Sequence, residues 1–407
     1  MREAATLPTT VSAAPRVFLV AAEESGDRLG AALIGALRER TGGTIAISGV
    51  GGRDMARAGV PSPFPIDELA IVGFSALPRR LPLIVRRIKE TADLVIRAKP
   101  DVLVIIDSPD FTHRVAKKVR AADPTIPIVD YVCPSVWAWR PWRARSMRRY
   151  VDRVLALLPF EPAILQKLGG PSCAFVGHPL TERIATLRPN ADEARRRMSD
   201  PPVVLLLPGS RGSEIKRMLP VFGDAIAILE RQTGPLEITL PTVPHLRDRV
   251  EAAIANWPRK PRIVVDQQEK YAAFRIARAA LAKSGTVTLE LALSGVPTIA
   301  GYRVSLAEEI VARLMINVPT IILANLVIGE NVVPELLQRD CTAGHLAQAL
   351  GPLMSNSPER RRQIEAFGRL DSIMEIGKRT PAFGAADGVL AMLSSPGPAF
   401  AGKAPKL

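Results

Sequence analysis

The 407-residue sequence has few of the residues on which disulfide scaffolds and metal sites depend. It contains three cysteines, Cys133, Cys173 and Cys341, and four scattered histidines. An odd number of isolated cysteines provides neither a disulfide framework nor the paired ligands of a zinc site. The sequence therefore predicts no metal centre and no disulfide-stabilised fold.

The sequence also lacks a long apolar segment. No uninterrupted run reaches about 18 apolar residues, the length that a helix needs to cross a bilayer. Residues 1–15 lack a basic region followed by a long apolar segment, so we interpret them as a disordered leader and not as a signal peptide. Residues 394–407, rich in Pro, Gly, Ala and Lys, are predicted to be a disordered tail. We expect a cytoplasmic protein.

Acidic residues are outnumbered by basic ones. Lysine and arginine total 54 and aspartate and glutamate 40, which gives a net charge of +14. This excess favours an anionic partner, for which nucleotides, nucleic acid and an anionic membrane surface are the candidates. Hydrophobic residues make up 47% of the chain, enough for a full core. At roughly 150 residues per domain, the length predicts two or three domains.

Short apolar runs alternate with helix-like segments, the pattern of a doubly wound α/β protein. The predicted strands of the first half are 16–22, 44–48, 102–106, 128–132, 153–157 and 174–176. Those of the second half are 203–207, 236–240, 263–265, 280–282 and 298–300, followed by a set of helices beginning at 332–338. We therefore predict two Rossmann-like domains that face a central cleft, the first spanning 16–199 and the second 200–393.

Two turns in the second half are candidates for binding a diphosphate. The segment Leu207–Lys216 (LPGSRGSEIK) follows a strand and opens a helix, whose first N–H groups point at a ligand. Arg211 within it can hold two phosphate oxygens at once. Ser284–Thr286 precedes another helix, with Glu290 one turn further on. Either turn alone could be an ordinary strand-to-helix loop or a helix cap.

The strand at 102–106 ends in two acidic residues, Asp107 and Asp110. An acid at the tip of a buried parallel strand is partly desolvated, which suits a general base. We assign Asp107 as the candidate base and Asp110 as the helix cap. The spacing also allows Asp107 to be only a cap.

Three of the four tryptophans lie in Trp137–Trp142, and four arginines follow at 143, 145, 148 and 149. Aromatic residues interleaved with arginines can stack on the bases of single-stranded RNA. They can equally form the wall of a cleft for a sugar and a lipid. Because strands flank this segment, we favour the cleft.

The segment 71–98 combines apolar residues at helical spacing with dense positive charge. Its apolar positions include Leu77, Leu81, Ile84, Val85 and Ile88, and its basic positions are 79, 80, 86, 87 and 89. A basic amphipathic helix can lie in a membrane interface with its arginines at anionic headgroups. The alternative is a surface helix packed on the sheet. Phe74 and the nearby prolines favour the membrane.

Nine motifs, in unbroken order, carry a resemblance to a known family. They are ESGD at 24–27, IDSPDF at 106–111, CPSVWAWR at 133–140, LPFE at 158–161, GHPL at 177–180, LLPGSRGSEI at 206–215, SGTVTLE at 284–290, GYR at 301–303 and VPELLQ at 333–338. Over about residues 16–390 the sequence resembles the lipid-A-disaccharide synthase family, which has the GT-B fold.

The resemblance implies an inverting transferase that joins UDP-2,3-diacylglucosamine to 2,3-diacylglucosamine 1-phosphate through a β-1,6 bond and releases UDP. Asp107 then matches the catalytic base, and Arg211 matches the diphosphate arginine. The expected donor residues are Ser210, Gly212, Ser284, Gly285, Thr286, Glu290 and Asn325. The expected acceptor-side residues are Glu23, Ser25, Gly26, Asp27 and Trp137. No metal or other cofactor is implied, because the arginine and helix ends can carry the charge.

By the same resemblance, the segment 74–85 matches a membrane-docking region. Its expected membrane residues are Phe74, Leu77, Leu81, Ile84 and Val85. The enzyme would then be peripheral on the cytoplasmic face of the inner membrane. A homodimer stays open, and nucleic acid is not an expected partner.

The chain departs from the family pattern at three places. Ala22 replaces a glycine, Cys133 stands where serine is common, and Glu330 and Asn331 follow Gly329 where an arginine is usual. The last change removes an expected donor contact. Two other functions are weighed: a UDP-sugar 2-epimerase of the same fold, and a non-enzymatic RNA-binding protein.

Overall fold

A computed structural model describes residues 14–69, 77–305, 308–309, 318–378 and 380–393. The expected tail and all but two residues of the expected leader lie outside these ranges. Within them, two parallel sheets of six strands each are flanked by helices. The prediction of two doubly wound α/β domains is confirmed.

The first sheet has six strands, and its central strands are almost entirely buried. It contains β1 (Arg16–Ala21), β2 (Ala46–Val50), β3 (Val102–Ile106), β4 (Ile128–Tyr131), β5 (Arg153–Ala156) and β6 (Ser172–Phe175), in the order β2-β1-β3-β4-β5-β6. All five residues of β3 are buried, as the apolar run predicts. The direction of strand addition reverses between β1 and β3. Ligand crevices of α/β folds open at such a reversal.

The first sheet is covered by helices on both faces. They are α1 (Glu24–Arg40), α2 (Arg53–Arg57), α3 (Leu77–Ala98), α4 (Pro109–Ala122), α5 (Trp142–Met147) and α6 (Glu161–Lys167). Buried residues of α3, α4 and α5 share one hydrophobic cluster, and those of α1 belong to another. Helices α3, α4 and α5 therefore lie on one face of the sheet and α1 on the opposite face.

The second sheet repeats the reversal. It contains β7 (Val203–Leu207), β8 (Glu237–Pro241), β9 (Arg262–Val264), β10 (Ala279–Lys283), β11 (Thr298–Tyr302) and β12 (Glu335–Leu337), in the order β12-β11-β10-β7-β8-β9. Here the direction changes between β7 and β10. Both predicted anion-binding turns follow these two strands, so the fold brings the turns to one crevice.

Eleven α-helices accompany the second half in the described part of the chain. They are α7 (Ile184–Leu187), α8 (Ala191–Met198), α9 (Gly212–Thr233), α10 (Arg247–Ala253), α11 (Gln267–Ile276), α12 (Val287–Leu293), α13 (Leu323–Ile328), α14 (Ala343–Leu350), α15 (Pro358–Gly368), α16 (Leu370–Ile373) and α17 (Pro381–Leu393).

One predicted element is wrong. The segment 332–338 was expected to begin the C-terminal helices, but it contains the strand β12, which pairs with β11 through Ala300 and Glu335. A three-residue edge strand is too short to show the alternation that marks strands in a sequence. Pairing with β11 therefore decides its conformation, not its own preference.

Helices α7, α8 and α17 pack across the predicted domain boundary. Leu187 of α7 is buried in a hydrophobic cluster with residues of β7 and α11. In α8 the buried Arg197 guanidinium donates hydrogen bonds to the carbonyl oxygens of Phe274, Ser294 and Gly295 at 2.9–3.0 Å, which ties α8 to α11 and to the turn after α12. Buried residues of α17 share a hydrophobic cluster with β1 and α1 of the first domain. The division at 199/200 stays a prediction; α7 and α8 pack on elements of the second half, and α17 packs on β1 and α1.

The role of α17 can be tested through Val389, which is fully buried in that cluster. Replacing Val389 with Ala should lower the free energy of unfolding by about 2 kcal/mol, because it removes buried apolar atoms and leaves a cavity. Asp387→Asn, which weakens only the exposed pair with Arg40, should cost less than about 1 kcal/mol. Urea denaturation of both variants would measure the difference. Equal losses would contradict a core role for α17.

Candidate active site

Asp107 lies at the carboxyl end of β3 in a strained backbone conformation. The φ angles of Asp107 and Ser108 are 55° and 46°, in the left-handed region that L side chains rarely adopt. The Asp107 N–H donates to the Tyr131 carbonyl oxygen at 3.0 Å, and the Thr112 hydroxyl donates to the Asp107 carbonyl oxygen at 2.6 Å. Strain of this kind persists where the surroundings enforce it, and it concentrates at functional sites.

The Asp107 carboxylate is oriented by two donors. Ser25 Oγ donates to Oδ2 at 2.8 Å, and the Ser108 N–H donates to Oδ1 at 2.8 Å. Helix α1 can approach β3 because residue 26 is glycine: a Cβ there would lie 3.0 Å from the Ile106 carbonyl oxygen. The first-domain crevice thus brings Ser25, Gly26 and Asp107 together, with the exposed Glu23 at the start of α1.

Asp27 serves the fold around this crevice. Its buried carboxylate accepts hydrogen bonds from the N–H groups of Gly52, Asp54 and Met55 at 2.7–3.1 Å. These bonds tie α1 to the loop after β2 and to α2. Contact between Asp27 and the acceptor stays a prediction, because every hydrogen bond described for its side chain goes to the backbone.

Asp110 does not cap α4 as predicted. Ser108 occupies the N-cap position, and Asp110 lies within the first turn of the helix. Its exposed carboxylate pairs with Arg143 at 3.3 Å. Asp110 therefore links α4 to α5.

Trp137 is held in place by a buried acid that the sequence presented only as part of the LPFE motif. The Trp137 indole packs edge-on against Phe160, with ring centroids 5.3 Å apart, and its Nε1–H donates to Glu161 Oε1 at 3.1 Å. The Leu158 N–H donates to Glu161 Oε2 at 3.0 Å. Only 3% of Glu161 is exposed, and this burial raises its pKa to about 7, although both hydrogen bonds favour the charged form.

The other tryptophans of this segment differ from Trp137. Trp139 and Trp142 are exposed, and the Arg140 guanidinium lies 4.3 Å from the centre of the Trp139 ring. Arginine stacking thus already covers part of one exposed ring. The packed Trp137 fits the interpretation of this segment as a cleft wall.

A cavity of about 420 Å³ opens at the reversal point of the second sheet. Of the predicted donor residues, Ser210, Arg211, Ser284, Gly285 and Thr286 line it. The loops after β8 and β9 contribute further walls that the sequence reasoning missed, including Thr242 and Asp266. In the sequence, these residues could be recognised only because each follows a predicted strand. The carboxyl ends of neighbouring parallel strands share one edge of the sheet, so the loops after them meet there.

The turn before α9 carries its own carboxylate. The N–H groups of Ser210 and Arg211 donate to Oε2 of the buried Glu214 at 2.9 and 3.2 Å. Gly209 permits this approach, because a Cβ there would lie 2.3 Å from that oxygen. The Arg211 side chain is 79% exposed and reaches the cavity. Gly212 begins α9 directly after it, outside the cavity lining.

The remaining donor candidates are engaged within the protein. Ser284 Oγ donates to the Ile321 carbonyl oxygen at 3.0 Å, so its hydroxyl hydrogen is already engaged. Glu290 pairs with the cavity-lining Lys270 at 2.5 Å. Asn325 is 1% exposed, and its amide bonds the backbone of Val332 and Val333 at 2.9–3.1 Å. A donor contact of Asn325 stays a prediction, and its described contacts give it a structural role.

The predicted membrane residues divide into two groups. Leu81 and Val85 are 46% and 50% exposed on α3. Ile84 is buried with residues of α4, so the prediction that it faces a membrane is wrong: its position on the helix points it at the core. Phe74 and the side chain of Leu77 lie outside the described residues. Of the helices that the structure describes, none is long and apolar enough to cross a membrane.

The departures from the family pattern have local explanations. The backbone of Ala22 stays outside the left-handed region, so this position does not require glycine. Cys133 is buried, and its contact with Cys173 together with burial raises its pKa. Glu330 pairs with Arg369 at 2.8 Å. Within the described residues, no cluster of three or more His, Cys, Asp or Glu could hold a metal ion.

Sequence comparison identifies the family. The sequence model of lipid-A-disaccharide synthetase matches residues 17–378. The chain belongs to this family. Among its relatives, the lipid-A-disaccharide synthase of Nitrobacter winogradskyi is 58% identical over 386 residues, which cover 94% of this chain and 98% of that protein.

Solved structures confirm the GT-B fold. CalG4, the calicheamicin glycosyltransferase, superposes with a TM-score of 0.55 at 17% identity, over 93% of this chain and 98% of CalG4. The UDP-GlcNAc 2-epimerase of Neisseria meningitidis gives a TM-score of 0.56 at 13% identity, over 92% and 98%. Because both a transferase and an epimerase share the fold, membership of the lipid-A-disaccharide synthetase family, and not the fold, separates this chain from the epimerases.

The raised pKa of Glu161 predicts a pH dependence of stability. Its folded pKa of about 7 exceeds the ordinary value of 4.5, so the folded state binds more protons between these values. The stabilisation that Glu161 contributes is complete below pH 4.5. As the pH rises to 7, the free energy of unfolding falls by about 3 kcal/mol because of this group. Glu161→Gln should remove this fall.

Urea unfolding at several pH values between 4.5 and 8 would measure the effect. The free energy of unfolding of Glu161→Gln should rise relative to that of the unmodified protein as the pH increases. Glu39→Gln, at an exposed position of α1, should leave the profile unchanged. Parallel profiles for Glu161→Gln and the unmodified protein would contradict the assignment.

Proposed function

We propose that this protein is an inverting glycosyltransferase that joins UDP-2,3-diacylglucosamine to 2,3-diacylglucosamine 1-phosphate through a β-1,6 bond and releases UDP. The observation that supports this most strongly is the strained, oriented Asp107 at one sheet reversal, together with the cavity lined by Arg211 at the other. Family membership supports the same reaction, because the relatives carry the name lipid-A-disaccharide synthase.

On the acceptor side, Asp107 acts as the general base. Its carboxylate takes the proton of the acceptor 6-hydroxyl while that oxygen attacks the anomeric carbon of the donor. The hydrogen bond from Ser25 fixes the direction of Oδ2 before the substrate arrives. Attack on the face opposite the leaving diphosphate gives inversion in a single displacement.

On the donor side, Arg211 stabilises the leaving diphosphate. Negative charge develops on the β-phosphate oxygen as the bond to the sugar breaks, and a cation held at that place lowers the barrier. The exposed guanidinium of Arg211 can bind two phosphate oxygens. The backbone turn at Ser284–Thr286 contributes N–H groups from the other side of the crevice.

Both proposed substrates carry acyl chains, so the enzyme must work at a lipid surface. The exposed Leu81 and Val85 lie on α3 four residues apart, next to the exposed Arg86 and Lys89. Apolar side chains flanked by cations suit the boundary between acyl chains and anionic headgroups. We place the enzyme on the cytoplasmic face of the inner membrane, where the net charge of +14 strengthens attachment.

The reaction is tested by measuring UDP release from UDP-2,3-diacylglucosamine in detergent, with and without the acceptor. Release that requires the acceptor and yields a disaccharide is expected. Acceptor-independent turnover of soluble UDP-GlcNAc would instead support the epimerase. Folded protein without any acceptor-dependent release would overturn the proposed reaction.

Removing the base or the cation should abolish most of this activity. Asp107→Asn and Arg211→Ala should each lower kcat/KM by about 100-fold or more, because each removes a group that acts in the transition state. Asp110→Asn and Arg247→Ala, which change exposed residues paired with Arg143 and Glu251, should stay near the unmodified rate. Urea midpoints within error of the unmodified protein would show that folding is intact. Near-normal turnover of Asp107→Asn or Arg211→Ala would discard that residue's role.

Membrane attachment should depend on Leu81 and Val85. Replacing both with Ser should lower partitioning onto phosphatidylglycerol-containing vesicles by roughly tenfold or more, since each exposed apolar side chain contributes burial energy in the interface. The matched control replaces two exposed apolar residues of the second domain, Leu337 and Ile364, with Ser. Equal partitioning of the two double variants would contradict the assignment. Ile84 is unsuitable for this test because its replacement would damage the core.

A further inference from the structure

Lys283 lines the proposed donor cavity but is not among the predicted donor residues. It is the last residue of β10, and the strand register sets its neighbour Ala282 opposite Leu207 at the end of β7. The side chain lines the cavity between the turn that carries Arg211 and the turn that begins at Ser284. Sequence reasoning passed over it because it reads as the end of an ordinary strand.

The ammonium group of Lys283 is held in place by two contacts. Its Nζ lies 3.1 Å from Glu214 Oε1 and 4.6 Å from the centre of the Tyr302 ring. The side chain is 18% exposed and that of Glu214 is 6% exposed. A largely buried ammonium is costly unless it has partners, and here an acid and an aromatic ring supply them. The charge is therefore fixed at the wall of the cavity.

Two cations share the Glu214 carboxylate at the cavity wall. This carboxylate faces Lys283 at 3.1 Å and Arg211 at 3.7 Å, and it accepts the N–H groups of Ser210 and Arg211 in the turn before α9. Because Glu214 already accepts the N–H groups of Ser210 and Arg211, these two groups are not available to an incoming phosphate, which increases the need for side-chain cations. Two cations that share one carboxylate leave a positive charge in excess for a diphosphate.

We propose that Lys283 is a second catalytic cation, which contacts the donor diphosphate together with Arg211, and that Glu214 is its positioning residue. This inference rests on the proposed function and adds a residue to it. As the bond between the anomeric carbon and the β-phosphate oxygen breaks, its electron pair passes to that oxygen, next to the ammonium. The acceptor oxygen forms the new bond to the anomeric carbon, and its proton passes to Asp107.

The competing explanation is that Lys283 only neutralises the buried Glu214. A double-mutant cycle separates the two, using Lys283→Met, Glu214→Gln and the combination. If the lysine is only a counter-ion, removing both charges together should restore activity. If it contacts the diphosphate, the combination should be no more active than Lys283→Met alone.

The experiment uses the full chain and two readouts: UDP affinity by calorimetry and acceptor-dependent UDP release. Lys283→Met should lower kcat/KM by about 100-fold and weaken UDP binding by roughly tenfold. Lys283→Arg, which keeps the charge, should retain activity within about tenfold and serves as the folded variant if the Met variant is unstable. Lys260→Met, at an exposed position before β9 and outside the cavity lining, is the matched control and should behave as the unmodified protein.

The outcomes are distinct from those for the proposed function. Absence of acceptor-dependent release from the unmodified protein would overturn the reaction, while UDP affinity would still report on Lys283. If the unmodified protein shows acceptor-dependent UDP release and Lys283→Met has the same kcat/KM and UDP affinity, the inference is overturned. Recovery of activity in the combined variant would overturn it as well and make Lys283 a structural counter-ion.

Discussion

The shared edge of parallel strands is the constraint on which the rest of the structure depends. Every strand of a parallel sheet must return through a crossover, so all strands end at one edge and begin at the other. A crevice opens where the direction of strand addition reverses, between β1 and β3 in the first sheet and between β7 and β10 in the second. Asp107, Arg211 and Lys283 all lie where one of these four strands ends.

Buried carboxylates make this edge rigid. Glu161 fixes Trp137, Glu214 fixes the Arg211 turn and Lys283, and Asp27 fixes the loop after β2. Each of the three accepts backbone N–H groups of a loop, which offsets the cost of burying a charge. Because their oxygens are occupied by backbone N–H groups, these three acids hold the loops in position. Asp107 also accepts hydrogen bonds, but it remains partly exposed to solvent. Burial and bonding, not residue type, separate the two roles.

The sequence predicts the sheets well because their strands are buried on both faces and appear as continuous apolar runs. The pairing of Ser25 with Asp107, 82 residues apart, needs the fold, as does the occupation of the α9 turn by Glu214. A sequence motif can indicate that a residue is needed, but it does not show whether a ligand or the fold requires it. Asn325 is constrained by two backbone N–H groups, and Ile84 faces the core instead of lipid. Such assignments require coordinates.

The same edge also links the proposed lipid surface to the crevice. Helix α3 connects β2 to β3, so it starts at the edge where β2 ends and runs to the edge where β3 begins. Leu81 and Val85 lie in its first half, nearer the edge that carries Asp107. An amphiphilic acceptor could therefore keep its acyl chains in a bilayer at α3 while its sugar hydroxyl reaches the base. A helix running in the opposite direction would present its exposed apolar residues at the far side of the domain, away from the base.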